Sequence, residues 1–182
     1  MMEFDTAATT WVNGFAGRWP WLDAAAIGLA QFGHYVVVGS IVLSWWMREP
    51  RTRARYLAVC CGLSAALGLV LNQAILLFVD RVRPYDAGVA HLLVAPSADP
   101  SFPSDHATVA FAVALEFLRQ RDRWALLYLA SALLIGLARV YIGTHYLTDV
   151  IGGAGTAGLA ALAVAAVYRA ESKLHSRLAA LL

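Results

Sequence analysis

Apolar residues gather in five long stretches, roughly 22–47, 55–79, 104–118, 124–142 and 147–168, and most charges lie between them. A helix that is hydrophobic all round is either buried or in lipid, and a membrane span needs about 20 mostly apolar residues. The pattern predicts an all-α integral membrane protein, a bundle of about five transmembrane helices. Ahead of the first stretch lies a mixed segment, 5–18, with Trp11, Val12 and Phe15 at helical spacing and Trp19 and Trp21 behind it. It predicts a short N-terminal interfacial helix ending in belt tryptophans. Three parts follow: an interfacial segment over 1–20, a membrane domain over 21–168 and a polar tail over 169–182. The connection over 80–102 carries Pro84, Gly88, Pro96 and Pro100 and is predicted not to be a continuous helix.

Charge orients this bundle. Arg48, Arg51, Arg53 and Arg55 follow the first stretch, Arg119, Arg121 and Arg123 follow the third, and Arg169, Lys173 and Arg177 lie in the tail. These are ten of the 14 basic residues, all on one side, and the positive-inside rule places that side in the cytoplasm. The N-terminus, the 80–102 loop and the region of His145 then face outward. Overall composition, 60% hydrophobic with a mean hydropathy of +0.62, agrees with a membrane protein. A net charge of +2 with no basic stripe excludes nucleic acid as a partner. Cys60 and Cys61 are neighbours in an apolar run and are not expected to pair, and no CxxC or HExxH spacing suggests a metal. No basic segment precedes an apolar core at the N-terminus, so no cleaved leader is expected. No internal repeat of the transporter kind is visible. The fifth stretch is rich in small residues, with Gly153/Ala157 and Ala154/Gly158 as steps that allow close helix approach.

Polar chemistry is confined to three short segments, all on the predicted outer side: Arg83-Pro84, Pro103-Ser104-Asp105-His106, and Arg139 with His145 and Asp149. His145 and Asp149, at i and i+4, share a helix face; an Asp accepting from one imidazole nitrogen leaves the other free to attack. Arg139 near the end of an apolar span has a planar fork suited to phosphate oxygens. Ser104 begins the third stretch, where exposed N–H groups form an anion site. His106, in the first turn, is placed to act as a general acid. Arg81 and Arg83 can each add a cation. Taken singly, each feature also has a plain reading: a capped histidine, an interfacial arginine, a helix cap. Other polar residues are read structurally. His34 is expected to make an interhelical hydrogen bond, with Gln31 near it, and Glu116 a local ion pair with Arg119. Asp80 and Asp86 either orient the arginines or are solvated. His91 either covers the site or rests on the interface, and His175 is solvated in the tail.

Together the three segments resemble the type-2 phosphatidic acid phosphatase superfamily, whose pattern is K-x6-R-P, P-S-G-H and S-R-x5-H-x3-D. The matches are Arg83-Pro84, Pro103-Ser104-x-His106 and Arg139-x5-His145-x3-Asp149. Leu76 stands at the family's Lys position, Asp105 at its Gly and Ala138 at its Ser. A pocket less cationic than in Lys-bearing relatives is expected, with Arg81, Asn72 or Gln73 as compensation. The stretches Ser101–His106 and Arg139–His145 look most similar to the bacterial bacitracin-resistance undecaprenyl-pyrophosphate phosphatases. The resemblance implies a metal-independent, cofactor-free hydrolase of the bacterial plasma membrane, with its active site facing the periplasm or cell exterior. Its substrate would be undecaprenyl pyrophosphate or another lipid phosphate. It implies His145 as nucleophile, Asp149 as its orienter and His106 as acid and then base. Arg83, Ser104, Arg139 and Arg81 would hold phosphate.

Overall fold

The computed structural model describes residues 2–179, with side chains described from 3 to 168. Every regular element among them is an α-helix: α1 (Met2–Asn13), α2 (Pro20–Met47), α3 (Arg51–Leu76), α4 (Asp105–Arg119), α5 (Ala125–Tyr141) and α6 (Leu147–Ala179). The all-α expectation is met, with shifted boundaries. α3 begins four residues before the expected 55 because Pro50 starts the turn and the Glu49 carboxylate accepts the Arg51 N–H at 2.9 Å. It ends at Leu76 rather than 79. α6 continues beyond 168, so the expected polar tail begins as an extension of the last helix. The side chains of that extension, Arg169, Lys173, His175 and Arg177 included, lie outside the described residues.

α4 is the hub of the bundle and packs on α2, α3, α5 and α6. It can do so because its buried face is built from Ala107, Ala110, Ala112 and Ala114, which let neighbouring backbones approach. Phe117 and Leu57 are buried in the same core. α2, α3 and α6 are long and apolar enough to cross a membrane. Only 28% of the apolar window in α2 or α3 is buried within the protein. Their outer faces carry Phe32, Val36, Leu43, Leu63 and Val70, all exposed. A surface this apolar over this length calls for lipid rather than water.

Each end of the bundle is tied differently. At the arginine-rich end, Arg48 pairs with Asp122 at 2.8 Å, and buried Glu116 accepts from Arg119 at 2.6 Å and from Ser64 at 2.8 Å. The expected Glu116–Arg119 pair is present. At the other end the 80–104 loop folds back over the bundle, joined to the α5–α6 connection by Leu93 N–H to Ile142 O at 3.1 Å. α1 lies across this same end. Its polar residues Asp5, Thr9 and Asn13, spaced i, i+4, i+8, are buried, while Phe4 and Trp11 point outward. Asn13 donates to the carbonyls of His91 and Tyr141, both at 2.8 Å, and accepts from the His91 N–H at 2.6 Å. His91 is thus part of the loop that α1 pins down.

Candidate active site

All three polar segments meet at this end, and the hydrogen bonds between them define the arrangement. The loop entering α4 is drawn onto the start of α6. Ser104 N–H donates to the Asp149 main-chain carbonyl at 3.1 Å, and Ser101 Oγ donates to Asp149 Oδ2 at 2.5 Å. The approach is close enough to need glycine. A Cβ on Gly153 would lie 2.6 Å from the Ser104 carbonyl and 2.9 Å from Thr108 Oγ1. Gly155, by contrast, faces open space, and Gly158 meets only Leu115 at 3.8 Å, so the expected small-residue packing belongs to the Gly153/Ala157 face. Gly153→Val is expected to push α4 and α6 apart and lower any turnover at this site by about 10²-fold. Initial rates of the purified variant, with its melting temperature alongside, check this.

His145 is fully enclosed just ahead of α6. Gly143, at φ +82° and with its Cα against the His91 carbonyl, turns the chain from α5 toward it. The closest partner of His145 Nδ1 is the Ser101 carbonyl at 2.8 Å, with Asp149 Oδ2 at 3.5 Å. The expected His–Asp pair is present, with the Ser101 carbonyl as the nearer acceptor. A carbonyl can only accept, so Nδ1 carries the proton and Nε2 keeps its lone pair. Asp149 acts on the ring directly and also through Ser101, which it holds. Burial pushes the imidazole below its ordinary value of 6.5, against the upward pull of Asp149 and with the help of the Arg139 charge.

Asp149 is fully buried and also accepts from Tyr146 N–H at 2.8 Å and from Arg81 Nη1 at 2.5 Å. Arg81, expected as a phosphate ligand, is therefore already committed. Its other nitrogen bonds Asp5, Nη1 also reaches Thr148 Oγ1 at 2.7 Å, and its guanidinium lies 4.0 Å from the Tyr146 ring centroid. Two carboxylates clamp it, so its charge is spent on holding Asp149. Asp5 in turn accepts from Thr148 N–H at 3.0 Å. Although burial alone would raise its pKa, the bonds from Thr148 and Arg81 keep Asp5 below the usual carboxylate value.

Arg83 and Arg139 differ from Arg81. Both are buried, and among the described residues neither has a carboxylate partner. Arg83 donates to the carbonyls of Asp99 at 2.8 Å and Thr144 at 3.0 Å, which ties the two loops but leaves its charge unneutralised. Arg139 Nε has no hydrogen-bond partner among the described residues. Ser104 begins α4 without capping it, and its buried Oγ is likewise unpartnered. Asn72, in contrast, donates to Asp105 at 2.7 Å and Thr108 at 2.9 Å, so it steadies the α4 N-terminus. Gln73 is exposed and Leu76 half-buried at the end of α3. Asp80 and Asp86 are exposed and pair with neither arginine.

His106 sits in the first turn of α4. Its ring packs edge-on against His34 of α2, with centroids 4.3 Å apart. Among the described residues His34 Nδ1 is buried without a partner, so the expected interhelical hydrogen bond is not formed there. Gln31 faces outward. Sequence reasoning missed Asp5, Ser101 and Thr148 and set His34 aside; only the Asp5-Thr9-Asn13 spacing carried a local signal.

Such a site holds a neutral imidazole with a free lone pair, two unneutralised guanidinium groups and a free hydroxyl at a helix N-terminus. That donor set can bind and attack a phosphoryl group. Known proteins agree. The chain is 32% identical over 143 residues, 78% of its length and 72% of the relative's, to undecaprenyl-diphosphatase BcrC of Bacillus subtilis (strain 168). Among solved structures it is similar to Aquifex aeolicus LpxE, with a TM-score of 0.70 and 25% identity over 86% of this chain and 91% of that one. It is similar also to a PAP2-type phosphatidylglycerolphosphate phosphatase from Bacillus subtilis, with a TM-score of 0.68 and 25% identity over 92% and 86%. Residues 57–173 match the PAP2 superfamily, and the chain belongs to that superfamily as a membrane lipid phosphatase, a phosphoric ester hydrolase.

Proposed function

We propose that this protein removes the terminal phosphate of undecaprenyl pyrophosphate at the outer leaflet of the bacterial plasma membrane, regenerating the lipid phosphate that carries cell-wall precursors. The observation that carries the reading is a buried pair of arginines without carboxylate partners beside an imidazole fixed in the Nδ1–H form. His145 Nε2 attacks the terminal phosphorus. The N–P bond forms as the bridging P–O bond breaks, and His106 gives its proton to the departing lipid phosphate. His106 then takes a proton from water, which attacks the phosphohistidine and releases inorganic phosphate. Arg83, Arg139 and Ser104 hold the equatorial oxygens while charge develops. Arg81, Asp149 and Ser101 hold the nucleophile. Every role is filled by a side chain, so turnover is expected without added metal.

In this reading α2 to α6 cross the membrane and α1 rests on its outer surface, with Trp11 and Trp21 exposed at that interface. The arginine-rich end and the C-terminal extension face the cytoplasm. The interfacial segment, 1–20, then works as a brace for the 21–168 membrane domain, with 169–182 as a cytoplasmic tail. The similarity to the undecaprenyl-diphosphatase supports the diphosphate substrate. A second reading, a phosphatase of phosphatidylglycerophosphate or phosphatidic acid, is supported by the structural likeness to the phosphatidylglycerolphosphate phosphatase.

Phosphate release by the detergent-purified protein, with EDTA present, decides between them. Undecaprenyl pyrophosphate is expected to exceed both monoesters in kcat/KM; a strong preference for a monoester sinks the diphosphate reading. The pH profile carries a further expectation. A lowered pKa means His145 loses its proton at lower pH than a free imidazole. The acid limb of kcat/KM that reports its protonation in the free enzyme should therefore lie below 6.5, and a limb above that value contradicts a desolvated nucleophile.

A further inference from the structure

His34 is a titratable side chain facing inward from the middle of a mostly apolar helix. Its ring touches His106, and its buried Nδ1 has no partner among the described residues. One turn further along α2, Val38 lines an apolar groove of about 570 Å³ between α2, α3 and α4. Val109, one turn beyond His106 on α4, lines the same groove, with Ile41, Trp45 and Leu69 further along it. His34 and His106 thus each lie one helical turn from a residue lining that apolar groove, on the side of the polar segments. A lipid diphosphate has to place three parts in order: terminal phosphate, inner phosphate, hydrocarbon. The terminal phosphate belongs with Arg83, Arg139 and Ser104, and the hydrocarbon belongs in apolar surroundings. The inner phosphate then falls beside His106, which protonates the oxygen joining the two. The inner phosphate gains charge as that bond breaks, and a donor that meets it there stabilises the transition state.

We infer that His34 hydrogen-bonds the inner phosphate of a lipid diphosphate and so sets the preference for diphosphates over monoesters, an inference that rests on the diphosphatase reading above. A monoester has no inner phosphate, so its hydrolysis does not need His34. A residue that merely supports the His106 ring would affect both substrate classes alike.

The test uses the full-length protein in detergent with farnesyl diphosphate and farnesyl phosphate, which share one tail. His34→Phe keeps a flat ring and loses the donor; His34→Gln keeps a donor. His34→Phe is expected to lower kcat/KM for the diphosphate about 10–100-fold while the monophosphate stays within about threefold. His34→Gln should keep most of the diphosphate activity. Inhibition by inorganic pyrophosphate should weaken about tenfold in His34→Phe, with that by inorganic phosphate unchanged. An equal loss on both substrates at an unchanged melting temperature overturns the inference, since His34 then acts through His106. Equal activity of wild type and His34→Phe on both substrates overturns it as well. If His34→Phe melts early, His34→Gln decides: loss of the monoester activity there overturns the assignment. Failure of wild type to release phosphate from farnesyl diphosphate while it cleaves the monophosphate sinks the diphosphatase reading itself, a result no His34 variant can mimic.

Discussion

His145→Ala is expected to lower phosphate release by about 10⁴-fold or more, to the level of the uncatalysed background. The size of the effect follows from the role of Nε2. Without it no N–P bond forms, and water would have to attack directly in a pocket that holds the imidazole at 2% exposure. Binding should survive, because the variant keeps Arg83, Arg139 and Ser104. Inorganic phosphate is therefore expected to raise the melting temperature of His145→Ala about as much as that of wild type. The removed ring takes one bond with it, from Nδ1 to the Ser101 carbonyl, so only a small loss of stability is expected. Labelled substrate mixed with wild type and quenched in alkali, where phosphohistidine survives, should leave label on the protein, and His145→Ala should carry none. Retained turnover in the variant would remove His145 from the chemistry. An inactive variant that no longer responds to phosphate would mean that the ring builds the anion site rather than attacking within it.

The membrane helices and the three motif segments were legible in the sequence because both are local. Lipid forces apolar residues into runs of span length, and a residue such as His145 is four places from Asp149 in sequence and within 3.5 Å of it in space. What escaped was the support of the site, which is made at long range. Arg81 meets Asp5 across 76 residues, and Thr148 meets it across 143. Neither pairing leaves a periodic trace. Arg81 near a phosphate motif reads as a phosphate ligand until a second carboxylate appears beside it. α1 did leave a trace, since Asp5, Thr9 and Asn13 recur every four residues. Its meaning depends on knowing that this helix turns Asp5, Thr9 and Asn13 inward, onto the loops, while Phe4 and Trp11 lie outward, unlike a helix on a soluble core. His34 was read as structural for a similar reason: nothing near it in sequence announces His106, which lies on another helix.

Arg139→Met is expected to raise stability and destroy activity together. The Arg139 guanidinium is buried and unpaired by any carboxylate among the described residues, and its Nε makes no hydrogen bond. Holding a cation there costs folding free energy, and replacing buried charge by an apolar side chain of similar length stabilises proteins by about 1–4 kcal/mol. For a chain of this size that corresponds to a melting temperature higher by roughly 2–4 °C per kcal/mol. The main-chain carbonyl of residue 139, which accepts from Thr144 N–H at 3.2 Å and Thr144 Oγ1 at 2.9 Å, is untouched by the substitution. Activity is a different matter. In the proposed mechanism the charge that burdens the empty fold stabilises the phosphoryl group in transfer, so kcat/KM should fall by about 10³-fold. Phosphate should no longer raise the melting temperature to the same extent, since half of the unneutralised arginine pair is gone. The opposite signs separate function from structure. A variant that is inactive and also melts lower would make Arg139 a packing residue, whereas one that is inactive, more stable and insensitive to phosphate shows that the arginine is kept, against the interest of the fold, for the anion it binds.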